Sequence, residues 1–472
     1  MNTTTPLFED IGATDFLNFS FGPSDYQRQL KDAVAKTGNI SAVSVNLITS
    51  ESTNSSMVYV SHDFAFLGGS LGCSEGEKIT LAFEYALERK LPVIVVCRTG
   101  GARMQEGTSS LMQMAKVSVA VKALSRAGIP FISVSEDPTF GGVSASYAMQ
   151  ADIRLAKASA RIGFAGPSVI LTTMCQNDQQ LYDTTCPDDF QSSEYLLSKG
   201  QVDRVLEWKN DLELQGICLN LANRLMNNNG AIPNSSLPLP PVTEDEKSTP
   251  FNYTSSRLIT RPQSQDLIAK IFPSFIELTG DGKVGRDSCI RGGLAQFPGK
   301  GTVMVIATFK GHTPKAMEEA NYGMPSPHGY RTANRLMTMA ERFGIPVVTM
   351  VDTVGAWPTF DCERDGQSEA IATNLTLMGG LEVPIITILV GEGGSGGALG
   401  VGMGNAIGML SGGYFGVISP EGAASILGRY KDEKHKAIQF PLDCQELATK
   451  QGIYANQLKS LGVVDEIIWE KG

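Results

Sequence analysis

The chain of 472 residues carries one sequence pattern twice, and this constrains its fold more than any other feature. LPVIVVCRTGGARM (91–104) aligns with IPVVTMVDTVGAWP (345–358), which places Gly101 on Gly355 at an offset of 254 residues. Similarity at a fixed offset over such a distance is typical of a repeated structural unit. The chain is therefore predicted to be a tandem duplication of one fold.

A second pair of segments supports the duplication. IPFISVSEDPTFGG (129–142) aligns with VPIITILVGEGGSGG (383–397), and the prolines near their starts keep the same offset. Matching the glycine pairs at their ends places Gly142 on Gly397, one residue further along. Each half is thus expected to contain two equivalent strands, each followed by a glycine-rich turn.

Both halves also share one order of elements. A helical pattern (EKITLAFEYALERK, and RTANRLMTMAERFG in the second half) is followed by a proline, a short β-branched run and a glycine turn. Short buried strands alternating with helices predict an α/β architecture. Residues 227–251 are rich in Pro, Ser, Asn and charge, as in an exposed linker. We predict domains at 1–226 and 263–472, joined by a linker at 227–262.

The composition excludes several classes of protein. The formal net charge of −10 argues against a surface built to attract nucleic acid or anionic lipid. The eight cysteines form no C-x-x-C pair, which argues against a structural zinc site and predicts reduced thiols. Neither a signal sequence nor an apolar run of membrane-spanning length is present in the sequence. We expect a cytoplasmic protein without a metal site.

The strongest local signals are glycine pairs at predicted strand ends, TGGARMQEG (99–107) and GEGGSGGALG (391–400). Where a strand passes into a helix, backbone N–H groups converge and attract negative charge. Such glycines also occur where a chain only needs a tight turn or close packing. Because the pairs recur at equivalent places, we favour two oxyanion holes and keep the packing interpretation open.

Side chains suited to acid–base catalysis are scarce. The sequence has neither a G-x-S-x-G nor an H-E-x-x-H motif. Its four histidines, at 62, 312, 328 and 435, have no recognisable catalytic spacing. The chemistry that remains is one in which backbone N–H groups stabilise the intermediate, as they can for the enolate of a thioester.

The longer motifs resemble a known family. FLGGSLG, TGGARMQEG, LMQMAK, DPTFGGVSASYAMQAD and IGFAGPSVI are similar to the beta subunit of bacterial acetyl-CoA carboxylase carboxyltransferase. YGMPSPHGYRTANRLMTMAERF, VDTVGAWP, ERDGQSEAIATNL, GEGGSGGALG and VISPEGAASIL resemble its alpha subunit. The resemblance implies a tandem pair of crotonase-like (ClpP/crotonase) domains, with beta-like and alpha-like parts fused in one chain.

The resemblance also implies roles for individual residues. The predicted catalytic residues are two sets of backbone donors: Gly100, Gly101 and Ala102 for the acyl-CoA enolate, and Gly396, Gly397 and Ala398 for the ureido oxygen of biotin. Arg103 is expected to support the first loop. The remaining predicted binding residues are those of the pocket wall and of a basic segment, namely Gly141, Gly142, Gly355, Lys310 and Lys315.

The activity implied is carboxyl transfer from carboxybiotin to acetyl-CoA or a related short acyl thioester, giving malonyl-CoA or a homologue, as in fatty-acid biosynthesis. Biotin would arrive on a separate carrier protein, with biotin carboxylase as a further partner and a homodimer or larger homo-oligomer as the working unit.

Two alternatives remain open. Glu318 and Glu319 interrupt a segment that is basic in the family, which favours a biotin-independent malonyl-thioester decarboxylase or a non-catalytic resistance paralogue. The complete GEGGSGGAL loop favours transfer.

Overall fold

The computed structural model describes residues 2–21, 24–51, 53–186, 189–226, 252–297 and 301–470. The chain divides into two compact units, Met1–Met226 and Asn227–Gly472. The part of the predicted linker at 227–251 lies outside the described residues.

The first unit alternates strands and helices. Its strands are β1 (Asn2–Leu7), β2 (Ser20–Phe21), β3 (Ser24–Asp25), β4 (Val43–Ser50), β5 (Ser55–His62), β6 (Val93–Thr99), β7 (Phe131–Phe140), β8 (Ile153–Lys157), β9 (Ile162–Gly163) and β10 (Arg204–Leu206). Its helices are α1 (Tyr26–Thr37), α2 (Cys73–Arg89), α3 (Gly107–Arg126), α4 (Gly141–Ser144), α5 (Pro167–Thr173), α6 (Gln179–Thr185), α7 (Ser193–Ser198) and α8 (Asp211–Met226).

The main sheet of this unit has the strand order β1-β4-β5-β6-β7-β8-β10, with β9 paired to the end of β7. β1, β4 and β5 are antiparallel, whereas β5 through β10 run parallel. The Val-rich strand β6 is almost wholly buried, as expected for a parallel strand covered on both faces. Phe83 of α2 packs edge-on against Phe131 of β7, so this helix covers one face.

The second unit repeats the plan. Its strands are β11 (Ile276–Glu277), β12 (Ile290–Phe297), β13 (Gly301–Thr308), β14 (Val347–Thr353), β15 (Ile385–Gly394), β16 (Ala406–Leu410), β17 (Tyr414–Gly416) and β18 (Glu466–Ile468). Its helices are α9 (Ser264–Ile271), α10 (Pro314–Glu319), α11 (Pro327–Arg342), α12 (Phe360–Arg364), α13 (Gln367–Gly380), α14 (Ser395–Gly402), α15 (Pro420–Leu427), α16 (Glu433–Lys450) and α17 (Ala455–Ser460).

The sheet order here is β11-β12-β13-β14-β15-β16-β18, with β17 paired to the end of β15. Antiparallel pairing again gives way to parallel pairing after the third strand. The two sheets therefore share one topology, and the predicted duplication and α/β architecture are confirmed.

An unusual backbone conformation is duplicated as well. Three consecutive residues adopt positive φ before α2 and again before α11. They are Leu67, Gly68 and Gly69 at +48°, +67° and +61°, and Asn321, Tyr322 and Gly323 at +50°, +56° and +81°. Side-chain-bearing residues rarely adopt this conformation. Its recurrence at an offset of 254 residues shows that the two units share local geometry as well as topology.

The two helices predicted from periodicity are present as α2 and α11. Both run slightly further towards the N-terminus than the periodic pattern, and α11 begins with Pro327, which is well suited to the first helical position. Over the described residues, no helix combines the length and apolar character needed to cross a membrane.

The predicted linker is too long at its C-terminal end. Residues Tyr253–Arg257 form a 3₁₀ helix, and the Tyr253 ring is buried with Tyr414 and Cys444. The Arg257 guanidinium donates a hydrogen bond to Glu392 at 2.6 Å. Residues 252–262 therefore belong to the packed second unit, because one aromatic ring and one arginine anchor a segment whose composition resembles a linker.

Candidate active site

The glycine loops of the first unit follow β6 and β7, whose carboxyl ends lie at one edge of the sheet. Thr99 pairs with Thr139 after a register shift, which brings the two loops together. A Cβ atom built on Gly141 would lie 2.9 Å from the Cα atom of Gly101. Both glycines have positive φ, +119° for Gly101 and +66° for Gly141. Glycine is required here by close packing and by conformation together.

Two N–H groups of the first loop are used inside the protein. The Gly100 N–H donates to the carbonyl of Gly68 at 2.9 Å. The Gly101 N–H donates to the hydroxyl of Thr99 at 3.0 Å. The predicted donors Gly100 and Gly101 therefore shape the loop with their N–H groups and do not leave those groups available to a ligand.

The third N–H of the loop is different. The Arg103 N–H donates to the Leu71 carbonyl at 2.9 Å, whereas the intervening N–H of Ala102 has no partner among the described residues. On the neighbouring loop, the Gly142 N–H likewise has no partner in the described chain, although Gly142 is buried. A Cβ atom built on Gly142 would lie 3.5 Å from the Ala102 Cβ atom. Ala102, which is half-buried, and Gly142 thus provide two neighbouring donors. A buried donor without a partner, such as the Gly142 N–H, is rare in folded proteins.

The second unit repeats this arrangement after β14. The Gly355 N–H donates to the Thr353 hydroxyl at 3.1 Å. The Trp357 N–H donates to the Pro325 carbonyl at 2.9 Å, and the intervening Ala356 N–H has no partner among the residues described. Ala356 therefore corresponds to Ala102. The sequence prediction did not include it, although the shared pattern T-x-G-A at 99–102 and 353–356 was the signal that identifies it.

The structure corrects the alignment of the second loops. β7 and β15 both contain ten residues, and both are followed directly by a helix whose first residue has positive φ, Gly141 at +66° and Ser395 at +58°. The offset therefore stays at 254, and Gly142 corresponds to Gly396, not to Gly397. Aligning the two glycine pairs introduces a gap that the strand lengths do not contain.

The three residues predicted for the second hole lie at the start of α14. Gly396 is exposed, and nothing lies within 4 Å of the place where its Cβ atom would be. A Cβ atom on Gly397 would lie 2.2 Å from the Ala356 nitrogen, so Gly397 allows the two loops to touch. Ala398 is fully buried. Of the three predicted residues, Gly396 has the position of a donor to a ligand.

Neighbouring helices fix α14 through its carbonyl groups. The Tyr330 hydroxyl donates to the Gly397 carbonyl at 2.8 Å. The Asn374 side-chain amide donates to the Gly400 carbonyl at 3.1 Å and to the Tyr330 carbonyl at 3.0 Å. Because these side chains come from α11 and α13, α14 is held in place by two neighbouring helices.

Arg103 lies beneath the first loop with 1% of its side chain exposed. Its guanidinium contacts Glu75 at 2.9 Å and Glu106 at 3.1 Å, and it donates to the Ser70 carbonyl at 2.8 Å. Burial disfavours the Glu75 carboxylate, but the charge of Arg103 holds the pKa of Glu75 below its usual value. Arg103 therefore packs beneath the loop, where its guanidinium is enclosed by protein groups.

The two predicted lysines have different environments. Lys310 is buried and forms ion pairs with Glu392 and, at 3.6 Å, with Asp352. Its charge is compensated within the protein, and its expected role in binding substrate or cofactor stays a prediction. Lys315 has 87% of its side chain exposed and lies 3.8 Å from Glu319. Only Lys315 remains accessible to a phosphorylated ligand.

The described residues contain no group of three His, Cys, Asp or Glu side chains placed to bind a metal ion. The cysteines, at 73, 97, 175, 186, 218, 289, 362 and 444, are all free thiols.

Two family descriptions match the chain. Residues 249–472 match the description acetyl co-enzyme A carboxylase carboxyltransferase-like, and residues 20–182 match the carboxyl transferase domain. Relatives named acetyl-coenzyme A carboxylase carboxyl transferase subunits beta/alpha occur in Saccharopolyspora erythraea (39% identical, 98% of this chain and 77% of the relative) and Clostridium tetani (40%, 99% and 77%).

Solved structures share the fold. The transcarboxylase 12S hexamer with methylmalonyl-coenzyme A bound superposes with a TM-score of 0.72 at 23% identity, over 90% of this chain and 79% of that one. A single-chain, multi-domain long-chain acyl-CoA carboxylase gives 0.74 at 18% identity, over 98% of this chain and 44% of that one. The predicted pair of crotonase-like domains is confirmed. The chain belongs to the acetyl-CoA carboxylase carboxyltransferase family, in which it is a fused beta/alpha member.

Proposed function

We propose that the protein transfers a carboxyl group from carboxybiotin, borne on a separate carrier protein, to acetyl-CoA or a related short acyl thioester. The product is malonyl-CoA or its homologue. The observation that carries this proposal is one pair of backbone N–H donors in each unit that have no partner among the described residues: Ala102 with Gly142, and Ala356 with Gly396. Two substrates that both develop negative charge on a carbonyl oxygen require two such pairs.

We assign the first pair to the acyl thioester. Removal of the α-proton moves negative charge onto the thioester oxygen, and N–H groups fixed in advance stabilise that charge without reorganising. Loss of one such donor typically costs about 2.7–4 kcal/mol of transition-state stabilisation. The close contact of Gly101 with Gly141 keeps Ala102 and Gly142 in place for this role.

We assign the second pair to the ureido oxygen of biotin. Departure of the carboxyl group leaves negative charge on that oxygen, and the N–H groups of Ala356 and Gly396 donate hydrogen bonds to it in this proposal. The open space around Gly396 fits the approach of a ring, because nothing lies within 4 Å of the position of its Cβ atom. Biotin belongs to the carrier protein in this proposal and is not attached to this chain.

His62 does not have the surroundings of a base that could move the α-proton. His62 is buried, with its ring nitrogens 3.0 Å from the Gly69 carbonyl oxygen and 2.9 Å from the Tyr147 hydroxyl. Burial lowers the pKa of His62, so its ring is neutral near pH 7 and occupied by structural contacts. We therefore assign the α-proton to a nitrogen of the second substrate.

The test is a reconstituted reaction containing the protein, acetyl-CoA, ATP, bicarbonate, biotin carboxylase and biotinylated carrier. We expect malonyl-CoA to form only when every component is present. Release of CO₂ from malonyl-CoA without biotin, combined with failure on every short acyl-CoA, would assign the protein as a decarboxylase. Absence of both reactions in a folded protein that binds carboxylase partners would assign it as a non-catalytic paralogue.

We further infer a homo-oligomer in which each site combines the first unit of one chain with the second unit of another. The hexameric assembly named for the transcarboxylase relative supports oligomerisation, and two-fold symmetry is the commonest closed arrangement. The eight cysteines, all free thiols, support a cytoplasmic location.

A further inference from the structure

We infer that Thr353 is a positioning residue for the second donor pair, because its hydroxyl fixes the peptide group that carries the Ala356 N–H. Thr353 is the last residue of β14 and is fully buried. The inference rests on the proposed function only where it names the ureido oxygen of biotin as the group that Ala356 contacts. The orientation of the peptide is a separate, structural matter.

The Thr353 hydroxyl contacts both sides of Gly355. It accepts the Gly355 N–H at 3.1 Å, and it donates to the Gly355 carbonyl at 2.7 Å. The Gly355 carbonyl and the Ala356 N–H belong to one peptide group, in which they point in opposite directions because the bond is trans. A hydroxyl that holds the carbonyl therefore directs the N–H of Ala356 away from Thr353.

The first unit holds the equivalent peptide in another way. The Gly101 carbonyl, which shares a peptide group with the Ala102 N–H, accepts the backbone N–H of Leu71 at 2.8 Å. The Thr99 hydroxyl lies 3.5 Å from the same carbonyl oxygen, at the limit of a hydrogen bond. In the first unit the main restraint on this peptide is a backbone donor.

The second unit lacks that backbone donor. Leu71 and Pro325 are equivalent, because their carbonyls accept the N–H groups of Arg103 and Trp357, both at 2.9 Å. A proline has no N–H, so Pro325 has nothing to donate to the Gly355 carbonyl. Among the described residues, the Thr353 hydroxyl is then the group that donates to the Gly355 carbonyl. Its distance of 2.7 Å, against 3.5 Å for Thr99 and the Gly101 carbonyl, is consistent with that role.

The geometry predicts an asymmetry between two threonines that occupy the same place in the repeat. Thr353→Val removes the restraint on the Gly355–Ala356 peptide, whereas Thr99→Val leaves the Leu71 donor holding the Gly101–Ala102 peptide. Glycine permits reorientation of the adjacent peptide at little steric cost. Thr353→Ser keeps the hydroxyl, and we expect it to preserve the wild-type arrangement.

The experiment compares these three variants in the full chain. Crystal structures of each variant report the orientation of the two peptides directly, without reference to activity. We expect the Gly355–Ala356 peptide to be rotated or divided between two orientations in Thr353→Val alone.

In the carboxyl-transfer assay, we expect kcat of Thr353→Val to fall about 10- to 100-fold. This decrease is no larger than the decrease in kcat that follows deletion of one oxyanion donor. The KM for acyl-CoA should change less than about threefold, because the thioester binds at the first pair. Thr353→Ser should lose less than about threefold in kcat, and Thr99→Val should lose less than Thr353→Val.

An unchanged peptide in Thr353→Val, or an equal disturbance in Thr99→Val, would overturn the inference. If the wild-type protein transfers no carboxyl group, the proposed function fails, and the crystal structures still decide whether Thr353 positions Ala356. If the peptide reorients in Thr353→Val without any change in kcat, the peptide is not part of the transfer site, and the inference is equally overturned.

Discussion

Gly101 and Gly141 lie so close together that a Cβ atom on Gly141 would come within 2.9 Å of the Gly101 Cα atom. This contact joins the ends of two adjacent parallel strands. Because neither residue has a side chain, the next N–H groups along each loop, those of Ala102 and Gly142, become neighbours. Each candidate donor pair is thus a consequence of backbone packing between two strand ends.

Substitution at a close contact between the two loops of the second unit tests this view. In Gly397→Ala, the added Cβ atom would lie 2.2 Å from the Ala356 nitrogen, so the backbone must move and displace a donor. We expect transfer activity to fall by a factor of about 100, in the range found when one oxyanion donor is removed. The measurement is kcat in the reconstituted assay, with thermal unfolding to verify that the chain is folded.

The matched control is Gly380→Ala, since nothing lies within 4 Å of that Cβ position and the φ angle of Gly380 is not positive. It should retain wild-type kcat. Equal activity of Gly397→Ala and Gly380→Ala would show that the close contact has no part in catalysis.

The buried charges beneath the first loop make a prediction about stability. Arg103→Met leaves the Glu75 carboxylate, fully buried, without its main positive partner. Removing one partner of a buried ion pair typically destabilises a protein by about 3–5 kcal/mol. Urea unfolding of the full chain, followed by hydrogen exchange in α2 and α3, measures the loss.

Arg161→Met provides the comparison. Arg161 pairs with Asp137 at 2.9 Å, but both side chains are about half exposed. Exposed pairs contribute about 0–1 kcal/mol, so we expect a loss of that size. If both substitutions destabilise the first unit equally, burial does not set the contribution of Arg103.

The same network predicts a pH dependence. The pKa of Glu75 is lower in the folded protein than in the unfolded chain, so its carboxylate stabilises the fold above the unfolded pKa. That contribution is lost as the pH falls towards the folded pKa. We expect Glu75→Gln to be less stable than wild type at pH 7. The difference in unfolding free energy should shrink as the pH falls below about 4.3, the ordinary pKa of a glutamate. Unfolding free energies measured across this range would contradict the account if the difference were constant.

The repeat made most of the fold and the position of both loops predictable. Buried β-branched runs, prolines and glycine turns recur at one offset, so they identified β6, β7, β14 and β15 and the loops after them. Local sequence is informative there because each feature is determined by neighbouring residues.

Other features depended on contacts distant in sequence. Lys310 resembles a surface cation in a basic segment, but Glu392 and Asp352 approach it from other strands and bury it. The correspondence of Gly142 with Gly396 follows from the equal lengths of β7 and β15. An alignment based on glycine pairs alone does not take strand length into account. Ala356 was overlooked because the second loop was identified by its glycines, whereas the donor belongs to the residue after Gly355.

Complementation between two inactive chains tests the shared site. Gly101→Val disables the first pair and Gly397→Val the second, so each variant alone should be inactive. In a mixed dimer whose sites combine units from different chains, one of the two sites regains both intact pairs. Transfer activity should therefore return after subunit exchange, which native mass spectrometry verifies. Exchange without recovered activity would place each site within a single chain.

Transfer of a carboxyl group by this chain, from carboxybiotin to an acyl thioester, can be measured without the other enzymes of the pathway. Carrier protein is first loaded with ¹³C-labelled carboxybiotin and purified, then mixed with acetyl-CoA and stoichiometric protein without ATP or bicarbonate. We predict that the label appears in the free carboxylate of malonyl-CoA within a single turnover, and that Gly397→Ala delays it. Loss of the label as CO₂ at the rate seen without protein, with no labelled acyl-CoA formed from any short-chain acceptor, would contradict the account.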